Sequence, residues 1–253
     1  MVNDLQRASM WKRISAFIFD AILLAIVVIG LASLFSFALK YDSYVDRFDD
    51  ICEIYEEQYA VEFDITQDEY NAMSDEDKMN YDTAFKALSS DLEANRSYSL
   101  MISLTLVITS ISILLGYIAL ELIVPLVLKN GQTLGKKIFG IALMRTDGVK
   151  ISTFALFVRT ILGKYTLETM IPVLILIMIY FNSVGLMGIV VLGLIALLQL
   201  ILVLTSRSRN AIHDLIACTV VVDYASQMIF DSTEALVEYK KKIHAENTLH
   251  AER

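Results

Sequence analysis

The stretch Arg13–Gly30, RISAFIFDAILLAIVVIG, is long and apolar enough for a membrane helix, with one basic residue at its start and one carboxylate, Asp20, inside it. Its reading decides the fold. A hydrocarbon layer about 30 Å thick takes roughly 20 helical residues, and the apolar run continues from Ile14 to Leu39. Three more such runs follow, Tyr98–Leu128, Thr166–Phe181 and Val184–Leu204. The third is short, but the largely apolar Phe154–Lys164 before it lengthens it. Together they make the chain 56% hydrophobic with a mean hydropathy of +0.56, too apolar for a soluble globular domain. The expectation is an all-α integral membrane protein with four transmembrane helices. The first run is too long for a signal peptide and has no small-residue cleavage site, so it is expected to remain as an anchor.

Charge is sorted along the chain. The net charge is −8, yet residues 40–97 carry 17 acidic and 5 basic residues, so everything outside them is net basic. Arg7, Lys12 and Arg13 precede span one; Lys129, Lys136, Lys137, Arg145, Lys150, Arg159 and Lys164 lie between spans two and three; Arg207, Arg209 and Lys240–Lys242 follow span four. By the positive-inside rule all three sets face the cytoplasm, with both termini inside. Residues 40–97 and the short NSVG turn then lie outside. Cys52 and Cys218 fall on opposite sides, which excludes a disulfide between them.

The organisation follows from this frame. Residues 1–223 form a four-span membrane domain, residues 40–97 an acidic extracytoplasmic insertion within it, and residues 224–253 a polar cytoplasmic tail. The insertion has no Gly or Pro, and Val45, Phe48, Cys52, Tyr55 and Tyr59, then Tyr81, Phe85, Leu88 and Leu92, recur at helical spacing. Ser74 is placed to cap a helix whose first turn is acidic. The insertion is read as a helical extension that binds a partner, or as a solvated hairpin that only links two spans. Between spans two and three, GIALMRTDGVKIS places alternating residues around the turn dipeptide Asp147-Gly148, predicting a β-hairpin. An interfacial amphipathic helix is expected from Phe154 to Tyr165. Thr219–Val222 reads as a strand that could join the hairpin.

No phosphate-cradling glycine loop and no HExxH is present, and the three histidines have no metal-ligand spacing. No enzyme activity, cofactor or metal centre is expected, and the basic segment needs anionic lipid rather than nucleic acid.

The polar residues inside the spans are the candidate site. Asp20 lies seven residues past Arg13, about 10 Å deeper on the same helical face. Glu121 lies eight residues before Lys129 and Gln199 eight before Arg207, each about 12 Å from the same side. Three spans thus place a polar group at similar depth. An acid facing lipid costs roughly 2.5–3.5 kcal/mol on insertion scales, so these groups should face one another or a wet cavity. Two readings stay open for Asp20 and Glu121: a proton- or cation-linked site, or a structural polar network with Arg13 reaching to the interface. Gln199 reads more simply as an interhelical hydrogen bond.

WKRISAFIFDAILL, GQTLGKKIFGIALMRTDG, VRTILGKY and RNAIHDLIACTVVV, in that order, resemble the RDD family of bacterial membrane proteins. The family is named for one arginine and two aspartates. Arg13 and Asp20 match the first two, and Asp214 looks like the second aspartate. The resemblance covers most of the chain except residues 40–97. It implies a bacterial plasma-membrane location and suspected transport, with some members described as sodium/proton antiporters. The leading expectation is therefore a transport-related protein, with monovalent cation/proton exchange as its candidate activity. In it Asp20 binds the ion or proton, Glu121 assists, and Arg13 orients or competes with Asp20. Asp214 is expected to anchor its segment through Arg159, Arg207 or Arg209. A four-span protein would need a homo-oligomer to enclose a pathway. The competing expectation is a non-transporting scaffold whose acidic insertion recruits a partner.

Overall fold

The computed structural model describes residues 6–128, 131–181, 183–205 and 211–251. Lys129, Arg207 and Arg209, which entered the depth and charge readings, lie outside them. In chain order the helices are α1 (Met10–Ala38), α2 (Tyr41–Tyr59), α3 (Gln67–Ala72), α4 (Asp75–Ser90) and α5 (Leu92–Tyr117). A π-helical segment (Ile118–Ile123) leads to α6 (Val124–Leu128) and, after a loop, α7 (Leu134–Ile138). Strand β1 (Ile141–Arg145) precedes α8 (Thr153–Phe157), a second π-helical segment (Val158–Met170) and α9 (Ile171–Tyr180). Then come α10 (Gly185–Thr205), α11 (Ile212–Ile216), β2 (Thr219–Asp223) and α12 (Thr233–Ala251).

Four helical segments are long and apolar enough to cross a membrane: Met10–Ala38, Leu92–Leu128, Thr153–Tyr180 and Gly185–Leu202. The chain has the all-α membrane architecture, with little strand. Many of the apolar side chains on these helices are exposed within the chain, among them Phe17, Leu34, Leu176 and Leu186. Such faces are stable only where the surroundings are apolar too, as lipid tails are. Span three runs without a break from Thr153, so the expected amphipathic helix is simply its first turns. The chain has no interruption there because Ser152 caps the start, accepting from the Ala155 N–H at 3.1 Å, and no Gly or Pro precedes Gly163.

Two compact units divide the chain. One comprises residues 30–112. Here α2 and α4 pack together. The helical spacing in the sequence is realised, with Ala84 and Leu88 buried and Phe63, Tyr70, Tyr81 and Phe85 forming edge and stacked ring contacts. Ser74 caps α4, as its position predicts, by accepting from the Asp77 N–H. A capping box at Thr66 and Glu69 starts the extra short helix α3. Leu92, expected on the α4 face, instead begins α5 and is exposed. The Asp91 carboxylate accepts from the Glu93 and Ala94 N–H groups and starts a new helix there.

The other unit comprises residues 1–29 and 113–253. Strand β1 pairs antiparallel with β2, Ile141 opposite Asp223 and Arg145 opposite Thr219. The expected hairpin forms in a short version: the Asp147-Gly148 turn has Gly148 in the left-handed region, Met144 and Lys150 pair antiparallel, and the Arg145 N–H donates to the Val149 carbonyl at 2.9 Å. The β-branched run Thr219–Val222 is the main partner of β1, because its side chains close both faces: Ile141, Leu143 and Val221 on one, Ala142, Met144, Val220 and Val222 on the other. Arg7 bridges to Val222, so the chain before span one lies beside the sheet. Residues 224–251 carry α12, which buries Leu236.

Candidate functional site

Asp20 leads the site. Its Oδ1 accepts from the Gly135 N–H at 2.8 Å, and its Oδ2 accepts from the Thr133 hydroxyl. Thr133 in turn caps α7 by accepting from the Lys136 N–H. The reason for glycine at 135 is close approach: a Cβ there would lie 2.4 Å from the Ala16 carbonyl oxygen and 2.9 Å from the Asp20 carboxylate. The GQTLGKK stretch thus folds a tight capped turn against α1, and Asp20 is the group that receives it.

Asp214 is the second centre. Its Oδ1 accepts from Arg159 Nε at 3.1 Å and Nη2 at 2.9 Å, and from the Thr219 hydroxyl at 3.1 Å. Its Oδ2 lies 3.8 Å from Arg13 Nη2 and 3.6 Å from His213 Nε2. Both Arg159 and Asp214 are almost fully buried, 2% and 1% exposed. Burial alone would raise the Asp214 carboxyl, but the Arg159 charge, helped by His213 and Arg13, holds it well below the usual carboxylate range. Of the three arginines expected to anchor Asp214, Arg159 does so. Arg13, expected to serve Asp20, reaches Asp214, 3.8 Å from its Oδ2. Two helical turns separate Arg13 from Asp20, about 10 Å of rise, too far for a direct pair along one helix.

Glu121 is buried and Lys164 Nζ reaches its Oε1 at 2.6 Å. Its Oε2 is buried with no hydrogen-bond partner. Glu121 sits in the first π-helical segment and Lys164 in the second. A π turn leaves backbone carbonyls without their i→i−4 donors. The Thr160 hydroxyl takes one of them, the Glu121 carbonyl, at 3.0 Å.

A cavity of about 210 Å³ brings these groups together. It is lined by Arg13, Lys136, Arg159 and Lys164, by Asp20, Glu121 and Asp214, by His213, and by apolar side chains including Ile14 and Phe17. Asp20 and Glu121, placed at similar depth from the sequence, therefore do share one space. Gln199 is not among its lining residues. Gln199 instead hydrogen-bonds Glu168, which also holds His213, Nδ1 to Oε2 at 2.6 Å and the His213 N–H to Oε1 at 3.0 Å. The layer of three polar residues is thus two residues in the cavity and one beside it. The physical cause is rotation about the helix axis, which depth counting does not contain. Gly163 admits His213, since a Cβ there would lie 2.5 Å from the histidine Cβ.

Sequence reasoning missed Lys136, Lys164, Glu168 and Thr133 as site residues. The two lysines entered only as loop charge. A signal for the third was present: Lys164 and Glu168 stand four apart, at helical spacing, inside a mostly apolar segment. Lys136 is the most unusual of them. It is 7% exposed, and among the described residues its ammonium makes one hydrogen bond, a long one of 3.4 Å to Thr133 Oγ1. Among the described residues no carboxylate lies within ion-pair distance of it. Burial, reinforced by the Lys164 and Arg159 charges, pulls it down to about 7 against the partial support of Glu121 and Asp20.

The RDD family model matches residues 7–218, a span that contains every charged residue lining this cavity. The chain belongs to the RDD family. No curated protein and no solved structure matches it. Within this RDD chain the arginine and two aspartates have distinct structural partners: Asp20 receives α7, Asp214 receives Arg159, and Arg13 reaches Asp214. They meet around one charged cavity in a multi-pass membrane protein.

Proposed function

We propose that this RDD-family protein is transport-related and exchanges a monovalent cation for a proton through the charged cavity. The observation that carries the reading is Glu121 Oε2, a buried carboxylate oxygen with no donor. It belongs to a residue lining a cavity large enough for a hydrated ion. An unpartnered carboxylate oxygen in a low-dielectric site is a strong attractor for a cation or a proton. The geometry favours Glu121 over Asp20 as the ion-binding group, because both Asp20 oxygens already accept hydrogen bonds from α7. Asp20 then positions that turn, and Arg13 helps to neutralise Asp214.

The site is expected to face the cytoplasmic half of a bacterial plasma membrane, with both termini inside, as the loop charges require. A homo-oligomer is expected to complete the pathway, since four spans are few to enclose one.

Reconstitution into vesicles with an imposed pH gradient tests the reading, with Na+, K+ and Li+ supplied in turn. Wild-type protein is expected to dissipate the gradient with one or more of these ions, and Glu121→Gln is expected to abolish the signal. Wild-type protein that gives no ion-dependent signal would sink the exchange reading.

A second reading, a membrane scaffold, is favoured by the complete pairing of Asp20 and Asp214, which is what a structural network needs. Deleting residues 44–95 separates the two. Retained flux with lost partner association favours transport by the remaining domain, and association that needs the insertion, with no flux in either form, favours the scaffold.

A further inference from the structure

Lys136 is a buried lysine with no counter-ion within ion-pair distance among the described residues. It stands on the short helix α7, whose other lysine, Lys137, is exposed. The charged groups around Lys136 come from three other elements. Asp20 on α1 and Glu121 on the first π-helical segment act on it favourably, and Arg159 and Lys164 on the second act against it. The Thr133 hydroxyl that touches its ammonium is the same hydroxyl that donates to Asp20. A permanently charged ammonium normally finds a carboxylate or several acceptors when it is buried. Among the described residues Lys136 has one hydroxyl, at 3.4 Å.

We propose that Lys136 is the group that releases the proton when a monovalent cation binds beside Glu121, an assignment that rests on the exchange function proposed above. The charge balance shows why the two events belong together. With Lys136 protonated and His213 neutral, the cavity holds four basic and three acidic side chains, one positive charge in excess. A second cation would add to that excess in a site of low dielectric, so it is repelled. Loss of the Lys136 proton to water leaves the amine neutral and the cavity charges equal. One cation at Glu121 Oε2 then restores the original total. One proton leaves for each cation that enters, and neither state puts an additional charge into the membrane interior.

The titration of Lys136 near neutrality fits this role, because both forms are accessible at working pH. Arginine at the same position could not exchange its proton, being charged at every accessible pH.

The test uses the full chain in detergent at low buffering capacity, with Na+ as the probe and K+ and Li+ in parallel. Wild-type protein is expected to release about one proton per Na+ bound below pH 7, with affinity for Na+ rising about tenfold per pH unit and levelling above pH 7. Lys136→Met is expected to bind Na+ without proton release and without pH dependence. Lys136→Arg is expected neither to bind Na+ nor to release a proton. If Lys136→Met releases the proton as the wild type does, the assignment to Lys136 is overturned while cation–proton exchange stands. If wild-type protein binds none of the three ions, the exchange reading itself falls. Should both variants fail to fold, lysine labelled with ¹³C at Cε in the wild type gives an independent reading. One lysine is expected to titrate near pH 7, with a midpoint that falls on addition of Na+. Lysines that all titrate near their ordinary value of about 10.4 would overturn the proposal.

Discussion

Asp20 and Gly135 meet across most of the membrane domain's sequence, the Gly135 N–H donating to Asp20 Oδ1 at 2.8 Å. The contact exists only because residue 135 has no side chain, since a Cβ would lie 2.4 Å from the Ala16 carbonyl oxygen. Gly135→Ala must therefore push α7 off α1 and lengthen the bond to Asp20. The expected cost is about 1–3 kcal/mol or more, as for other overpacked sites, because the nearest atom is backbone and cannot rotate away. Thermal unfolding in detergent reads it, and a midpoint equal to wild type would contradict the close approach. Asp20→Asn is expected to be milder, since an amide oxygen still accepts from the Gly135 N–H.

The Arg159–Asp214 pair carries a second expectation. Removing one partner of a buried ion pair leaves the other charge without compensation, at a cost of about 3–5 kcal/mol. Arg159→Met alone should lower stability by that order, and so should Asp214→Leu alone. The double variant should lose clearly less than the sum, because no lone buried aspartate remains. A double-mutant cycle on unfolding measures this coupling. Strict additivity would mean that the two residues do not act as a pair.

Lys136 sets a pH dependence of stability. Its folded value, about 7, lies below the value of an unfolded lysine, so the unfolded chain binds the extra proton between those two limits. Its contribution to stability therefore rises with pH from about 7 to about 10.4 and is lowest below pH 7, where the buried group must be charged. Replacing it with Met should remove this slope and stabilise the protein below pH 7, by on the order of a few kcal/mol. Unfolding midpoints of wild type and Lys136→Met across that pH range supply the comparison, and parallel curves would count against the burial of a titrating amine.

The two free thiols report sidedness. Cys218 is exposed and follows span four, whereas Cys52 is half-buried in the acidic insertion. Burial, with Asp49 and Glu56 beside it, pushes the Cys52 thiol up to about 11, so little thiolate is present at neutral pH. In intact cells a membrane-impermeant maleimide is expected to leave Cys218 unlabelled and to react slowly with Cys52. After permeabilisation Cys218 should react quickly. Labelling of Cys218 in intact cells would reverse the proposed orientation.

The four spans, the helical character of the insertion and the β-strand at Thr219 were legible in the sequence, because each depends on a local period of apolar residues or on composition. The family signature was legible for the same reason, as residue types at fixed places along the chain. Arg159 could be named as one of three partners for Asp214. What lay beyond reach was that Arg13 would reach Asp214 as well. Lys136 and Lys164 could be counted only as loop charge, since nothing local distinguishes a lysine that points to water from one that turns into a cavity.

The sequence by itself determined that this is a four-span membrane protein, how its charge is sorted along the chain, and that acids stand inside its helices. Only the tertiary structure decided what those acids face. Asp20 receives the Thr133–Gly135 turn, Asp214 receives Arg159, and Glu121 keeps one oxygen open beside Lys164. The physical reason is that burial of apolar residues is read along a helix with a short period, while a buried charge is balanced by groups far away in sequence. Helix rotation and close backbone approach at Gly135 and Gly163 bring those groups within reach.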